Sequence, residues 1–187
     1  MATLAARLSG GNLGRARRLA RDEDGLAFRE VARTALELAG RDPAGALEAA
    51  ELVLASAERY KKDLADSQKG ELDPFLDERG RPEDAYRGAI RRLQQRHERQ
   101  LRRAEREYVD RVLLAVSALL RDRVVSAVGG GPDLLMNPDL AAAPSSVPAA
   151  ASGLAAAEEA RAGLADDVNL NTRLVLEVAF LRLGATS

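Results

Sequence analysis

Residues 90–120 read IRRLQQRHERQLRRAEREYVDRVLLAVSALL. Ile90, Leu93, His97, Leu101, Ala104, Tyr108, Val112, Val116 and Leu119 recur in steps of three and four. That spacing puts them on one face of a helix. A strand would need apolar residues at every second position, and no run of that kind occurs in the chain. The expected fold class is therefore all-α, a helical bundle. The pattern extends back to Pro82 and forward to Val128, a helix on the order of 70 Å long at 1.5 Å per residue. The half before Tyr108 is far more charged than the half after it, so a bend or a protruding first half is expected.

Downstream, Gly129, Gly130, Gly131 and Pro132 end this helix. The triple glycine follows a helix rather than opening one. It reads as a flexible stop and lacks the amide-rich N-terminus that binds phosphate. Residues 133–145 look irregular, with Pro138 and Pro144. A helix of small residues is expected over 147–165. Asn171 then caps a last helix, with Leu170 and Val175 placed to pack as a hydrophobic staple. Leu174, Val175, Leu176, Val178, Ala179, Phe180, Leu181 and Leu183 make that helix apolar almost all round. Such a helix is covered on every side, by its own domain or by partner chains.

Upstream, residues 70–82 form a charged loop holding Gly70, Pro74 and Gly80, with Leu72, Phe75 and Leu76 as a short docking turn. Asp42 and Pro43 open a helix as cap and first residue. It should run to about Lys69, with Leu47, Ala50, Leu54, Ala57, Tyr60 and Leu64 on one stripe. A helix over 25–39 carries Phe28, Val31, Ala35 and Leu38 at helical spacing and stops at Gly40. Residues 9–19 read SGGNLGRARRL, a Gly-Gly turn followed by a helix that Asn12 can cap. That helix should run to about Asp22 with Arg15, Arg18 and Arg21 outward. Residues 2–8 form a short helical piece.

A chain of 187 residues can bury a real core, in one domain or little more. Alanine, leucine and arginine dominate and favour helix. The formal net charge is −1, so the whole chain is not a polyanion binder by charge alone. There is no cysteine, which excludes a disulfide framework and a thiolate metal site. No run approaches about 18 uninterrupted apolar residues, so no membrane span is expected. The first residues are neither long nor apolar enough for a signal peptide. A soluble cytoplasmic protein is expected.

Motifs that carry chemistry are scarce. No G-x-x-x-x-G-K-[ST] loop is present. His97 is the only histidine. It lies on the apolar stripe and reads as a packed or half-exposed structural residue rather than a metal ligand. One histidine without G-x-S-x-G gives no serine triad. Glu158, Glu159, Asp166 and Asp167 are sequence neighbours that point to different sides of a helix, so they read as solvated surface. No catalytic residue, cofactor or metal is expected. Arg91, Arg92, Arg99, Arg102, Arg103 and Arg106 cluster on the long helix, with Glu98, Glu105 and Glu107 between them. They form either a solvated face laced with intrahelical ion pairs or a contact surface for DNA phosphates or an acidic partner.

Gly11, Asn12, Leu13, Gly14 and Arg15 resemble the sensor 2 turn in the helical lid of clamp-loader ATPases. At the other end, residues 168–177, VNLNTRLVLE, resemble the turn and opening of the last collar helix in the delta-prime family of bacterial DNA polymerase III clamp-loader subunits. The sensor 2 pattern is roughly Gly-x-x-Arg, with the arginine on nucleotide phosphates. Here the arginine position holds Gly14, as befits delta-prime subunits, which bind no ATP productively. Arg15 lies about 100° further round the helix and does not replace it.

The resemblance implies a lid remnant over 1–23, followed by a collar, or oligomerisation, domain over 24–187. It implies a non-catalytic fragment whose partners are the delta and gamma/tau-type subunits, with DNA contacted indirectly. The interface would use Asn171, Arg173, Leu174, Val178, Phe180 and Leu181. It also implies that the family's nucleotide-binding-type domain and Ser-Arg-Cys segment would precede residue 1. Two other classes remain open: a basic helical DNA-binding module and a self-associating helical adaptor.

Overall fold

The period of three and four over 90–120 is realised as one unbroken helix in a computed structural model. It describes residues 2–9, 11, 13–14, 16–17, 27–75, 86–140, 145–166 and 170–185. Six α-helices are delimited among the described residues: α1 (Ala2–Leu8), α2 (Ala27–Ala39), α3 (Pro43–Gly70), α4 (Arg87–Ala127), α5 (Val147–Asp166) and α6 (Thr172–Gly184). Single 3-10 turns lie at Asp73–Phe75 and Pro132–Leu134. No strand occurs among the described residues. The protein is all-α.

Helix ends follow local chemistry. Asp42 caps α3: its Oδ1 accepts from the Gly45 amide at 2.7 Å, and Pro43 takes the first helical position. At the end of α4, Gly129 adopts φ +77°. This lets the Gly130 amide reach the Val125 carbonyl at 2.8 Å and the Gly129 amide reach that of Ser126 at 3.0 Å. These two bonds close a left-handed helix stop that glycine makes without steric cost.

The chain divides into two compact units. One comprises Met1–Val53 with Asp110–Ser187, the other Leu54–Val109. The divisions fall inside α3 and α4, and the second lies beside Tyr108, where the charge of the long helix changes. The described residues of α1 belong to the first unit, where Arg7 donates to the carbonyls of Pro132 and Leu135, both at 3.3 Å.

In the first unit the last helix, α6, packs on α5 and α2. Its core is built on Leu113, Val112, Val116, Val53, Leu176 and Phe180, all fully buried. Each such side chain contributes about 1.5–3 kcal/mol by leaving water. Between them lies a mesh of buried alanines, including Ala32, Ala35, Ala39, Ala49 and Ala157. Small side chains let helix backbones come close. At Gly184 an added Cβ would collide with the Ala39 carbonyl, and at Gly45 with that of Leu38.

Leu47, expected on the core stripe of α3, is instead exposed; the buried face there is Ala46, Ala49, Ala50 and Val53. Spacing alone did not distinguish these rows, because alanine-rich helices bury small side chains and can leave a leucine outside.

The second unit is a helical pair. Tyr60 packs against Tyr108 with ring centroids 5.3 Å apart and the rings tilted by 40°. Gln68 Nε2 donates to Gln100 Oε1 at 3.0 Å, and Glu71 Oε2 lies 3.1 Å from His97 Nε2. Residue numbers rise along one helix as they fall along the other, so the two segments run antiparallel. Ile90, His97, Ala104 and Tyr108 face inward. Burial pushes the Tyr108 hydroxyl above its ordinary pKa, against a hydrogen bond with Ser56.

Candidate functional site

The most informative surface is on α6. The cap forms as expected, with Asn171 Oδ1 accepting from the Leu174 amide at 3.3 Å. From there the apolar residues separate into two sets. Leu176, Ala179, Phe180 and Leu183 point into the core. Leu174 (58% exposed), Val178 (46%) and Leu181 (39%) stand outside. Their spacings of four and three put them in one row along the helix. Leu170, just before the cap, is also exposed. Isolated surface leucines need no explanation; here three large apolar side chains are exposed in one row.

Ion pairs stand beside this row. Arg173 meets Glu51 of α3 at 2.7 Å and Glu177 at 3.8 Å. The hydrogen bond to the Glu51 carboxylate raises the Arg173 pKa above its ordinary value. Arg182 meets Glu159 of α5 at 2.6 Å. Exposed Leu47 precedes Glu51 by one helical turn.

Of the six residues expected at a subunit interface, Leu174, Val178 and Leu181 are thus on the surface. Arg173 is half exposed and held by Glu51, and Asn171 is an exposed cap. Phe180 is fully buried. Its side chain belongs to the core, one residue out of phase with the exposed row, and has no area to offer a partner.

The sensor-like turn is only partly within the described residues. Gly11 adopts φ +86°, and Leu13 and Gly14 are helical and exposed. Asn12, Arg15, Arg18 and Arg21 lie outside the described residues, as do Leu76, Gly80, Pro144, Asp167 and Asn169.

The arginine cluster falls in the second unit. At 100° per residue, Arg91, Arg92, Arg99, Arg102, Arg103 and Arg106 share about 120° of arc, opposite the buried row of Ile90, His97 and Ala104. All but the half-buried Arg106 are exposed. The expected lacing by intrahelical ion pairs is absent at five of them. Among the described residues, no carboxylate lies within 4.0 Å of Arg91, Arg92, Arg99, Arg102 or Arg103. Glu98, Glu105 and Glu107 sit towards the edges of the face. Arg96, on its margin, meets Glu71 at 2.7 Å. His97 is buried and hydrogen-bonds with the same carboxylate. This bond, helped by Arg96, holds the Glu71 carboxyl below its ordinary value, against partial desolvation.

One polar cluster escaped the sequence reading. Asp122 of α4, almost fully buried, accepts from the Met136 amide at 2.9 Å and the Asn137 amide at 2.7 Å. Asn137 Nδ2 donates to it at 2.8 Å, while Asn137 Oδ1 accepts from Arg29 Nε at 2.8 Å. Arg29 closes the cluster on Asp139 at 2.8 Å. The clasp ties the irregular 129–140 segment to α2 and α4. No periodicity announces it, since its members come from two helices and a loop.

Among the described residues, no three His, Cys, Asp or Glu side chains stand together as a metal site. No described helix is long and apolar enough to cross a membrane. A pocket between Leu36, Leu120, Arg123 and Leu183 has room for about one water molecule. No family model, curated protein or solved structure matches this chain.

Proposed function

We propose that this protein is a non-catalytic assembly element of a bacterial clamp loader, with the lid helix and collar of a delta-prime-like subunit. Its task is to hold one position in a ring of loader subunits in the cytoplasm during DNA replication. The observation that carries this reading is the exposed row Leu174, Val178 and Leu181 on the last helix, whose opposite side is anchored in the core. A helix fixed in this way presents its outer row without ordering cost, as an assembly surface requires. The resemblance of residues 168–177 to the last collar helix supplies the partner class. The sensor-like turn, with Gly14 where an arginine would contact nucleotide, supports a role without ATP hydrolysis.

The experiment is size-exclusion chromatography with light scattering. The chain is run alone and mixed with the ATPase and delta subunits of the same organism's loader. A stoichiometric mixed complex is expected, abolished by Leu174→Asp together with Val178→Asp while the helical circular dichroism is kept. A chain that ignores those subunits overturns the proposal. If it forms a defined homo-oligomer instead, the same row serves self-association, and the protein is a helical adaptor.

A further inference from the structure

We propose that the outward arginine face of α4 binds the phosphate backbone of a nucleic-acid duplex. The inference does not depend on the clamp-loader reading. Residues 91–106 hold seven arginines against two glutamates, a net +5 in a chain whose total is −1. The chain has 29 acidic residues with which to neutralise this segment. Yet Arg91, Arg92, Arg99, Arg102 and Arg103 stand exposed without a carboxylate among the described residues. Like charges crowded on one helix face repel one another, so the folded chain bears a cost that a polyanion would relieve.

Geometry and chemistry favour phosphate over an acidic protein surface. From Arg91 to Arg106 the face runs about 22 Å along a straight helix. Phosphates repeat about every 3.4 Å of rise along each strand of a duplex, so a rigid cationic row meets several at once. Guanidinium offers a planar fork that grips phosphate oxygens in pairs.

A specific protein interface centres on buried anchors, most often tryptophan, tyrosine or arginine packed in an apolar surround. None of the large exposed apolar side chains lies within 91–106. Single-stranded nucleic acid would need aromatic platforms for base stacking, and this face has none. Backbone contacts to a duplex need only the cations. Glu98 and Glu105 towards the edge limit the contact to the arginine arc.

The test is fluorescence anisotropy of a labelled duplex of about 20 base pairs titrated with the full chain across about 50 to 200 mM salt. Each neutralised phosphate contributes about −0.9 to the slope of log affinity against log salt, so five free arginines give about −4.5. Changing Arg91, Arg92, Arg99, Arg102 and Arg103 together to glutamine should weaken binding at least about 100-fold at the lowest salt and flatten the slope. Arg102→Gln alone should reduce the slope by about one. Arg33→Gln, at an arginine already held by Glu30 and Glu37, should change neither. The five sites are exposed and glutamine is a good helix former, so circular dichroism should be unaltered. No anisotropy change at about 50 mM salt overturns the proposal. So does equal binding by the wild-type and five-glutamine chains. Binding of polyglutamate but not of duplex overturns it in favour of an acidic protein partner.

Discussion

Asp122 and Gly184 show how single atoms set this fold. The Asp122 carboxylate takes four donors at once: two backbone amides of the 129–140 segment, the Asn137 side-chain amide and, at 3.1 Å, the neighbouring Arg121 guanidinium. Replacing it with alanine leaves buried amides and the Asn137 side chain without an acceptor, and removes the ion-pair partner of Arg121. Asp122→Ala should therefore lower stability by about 3 kcal/mol. In a chain of this size that corresponds to a melting-point drop of about 6–12 °C, readable by calorimetry. Gly184→Ala pits two effects against each other. Alanine in a helix interior gains up to about 1 kcal/mol over glycine. Here, though, its Cβ would meet the Ala39 carbonyl of α2, backbone that cannot rotate away. Prising α2 and α6 apart costs about 1–3 kcal/mol, so the net change should be destabilising. A melting point unchanged or raised in Gly184→Ala would mean the helices separate freely. Neither residue was legible in the sequence. Asp122 looks like any helix carboxylate, and Gly184 like an ordinary helix stop, because what constrains them comes from distant parts of the chain.

At the scale of elements the sequence was far more legible. Steps of three and four marked the long helix, Asp42 and Asn171 marked their caps, and Gly129 marked the end of α4. Each depends on neighbours within a turn, so the local sequence contains the physical cause. What it lacked was which face of an apolar helix turns inward. Periodicity could not separate Phe180 from Leu181, nor Leu47 from Ala46, because every face offered apolar atoms. Pairing between elements was equally hidden, as with Glu71, which follows the end of α3 yet closes on Arg96 and His97 of α4. That contact predicts an acid response. A carboxyl held below its ordinary value binds fewer protons folded than unfolded. Its stabilisation is complete above the unfolded carboxylate range and fades as pH falls through the lower folded value. Thermal melts of the wild-type chain between about pH 6 and pH 3 should show this loss. Glu71→Gln, with no charge to lose, should show a shallower decline; parallel curves would remove Glu71 from the acid response.

At the scale of the whole molecule, the two units differ in what holds them. The first buries Phe180, Leu176, Leu113, Val112, Val116 and Val53 completely. In the second, the buried apolar residues among those described are Ile90, Tyr108, Val109 and two alanines, with His97, Ser56 and Gln68 also buried. Less apolar area leaving water means less free energy per ordered residue, since backbone entropy costs the same in both. The charge change at Tyr108 foreshadowed this contrast, because a helix with arginines across a third of its circumference has few positions left for a core. Contacts divide the chain within α3 and α4. Two segments far apart in sequence compose the first unit, and no local signal records that they meet. Local opening follows apolar burial, so amide hydrogen exchange should rank the units. Amides at 61–69 and 91–103 should exchange faster than those at 112–120 and 176–183 by at least about tenfold, a difference of about 1.4 kcal/mol in opening. Binding of a duplex to the arginine face would slow exchange at 91–103 and leave 176–183 unchanged. Assembly through Leu174, Val178 and Leu181 would do the reverse. One exchange experiment, run with each partner in turn, thus assigns each surface to its ligand, and equal protection of both segments by one partner would contradict the division of labour proposed for them.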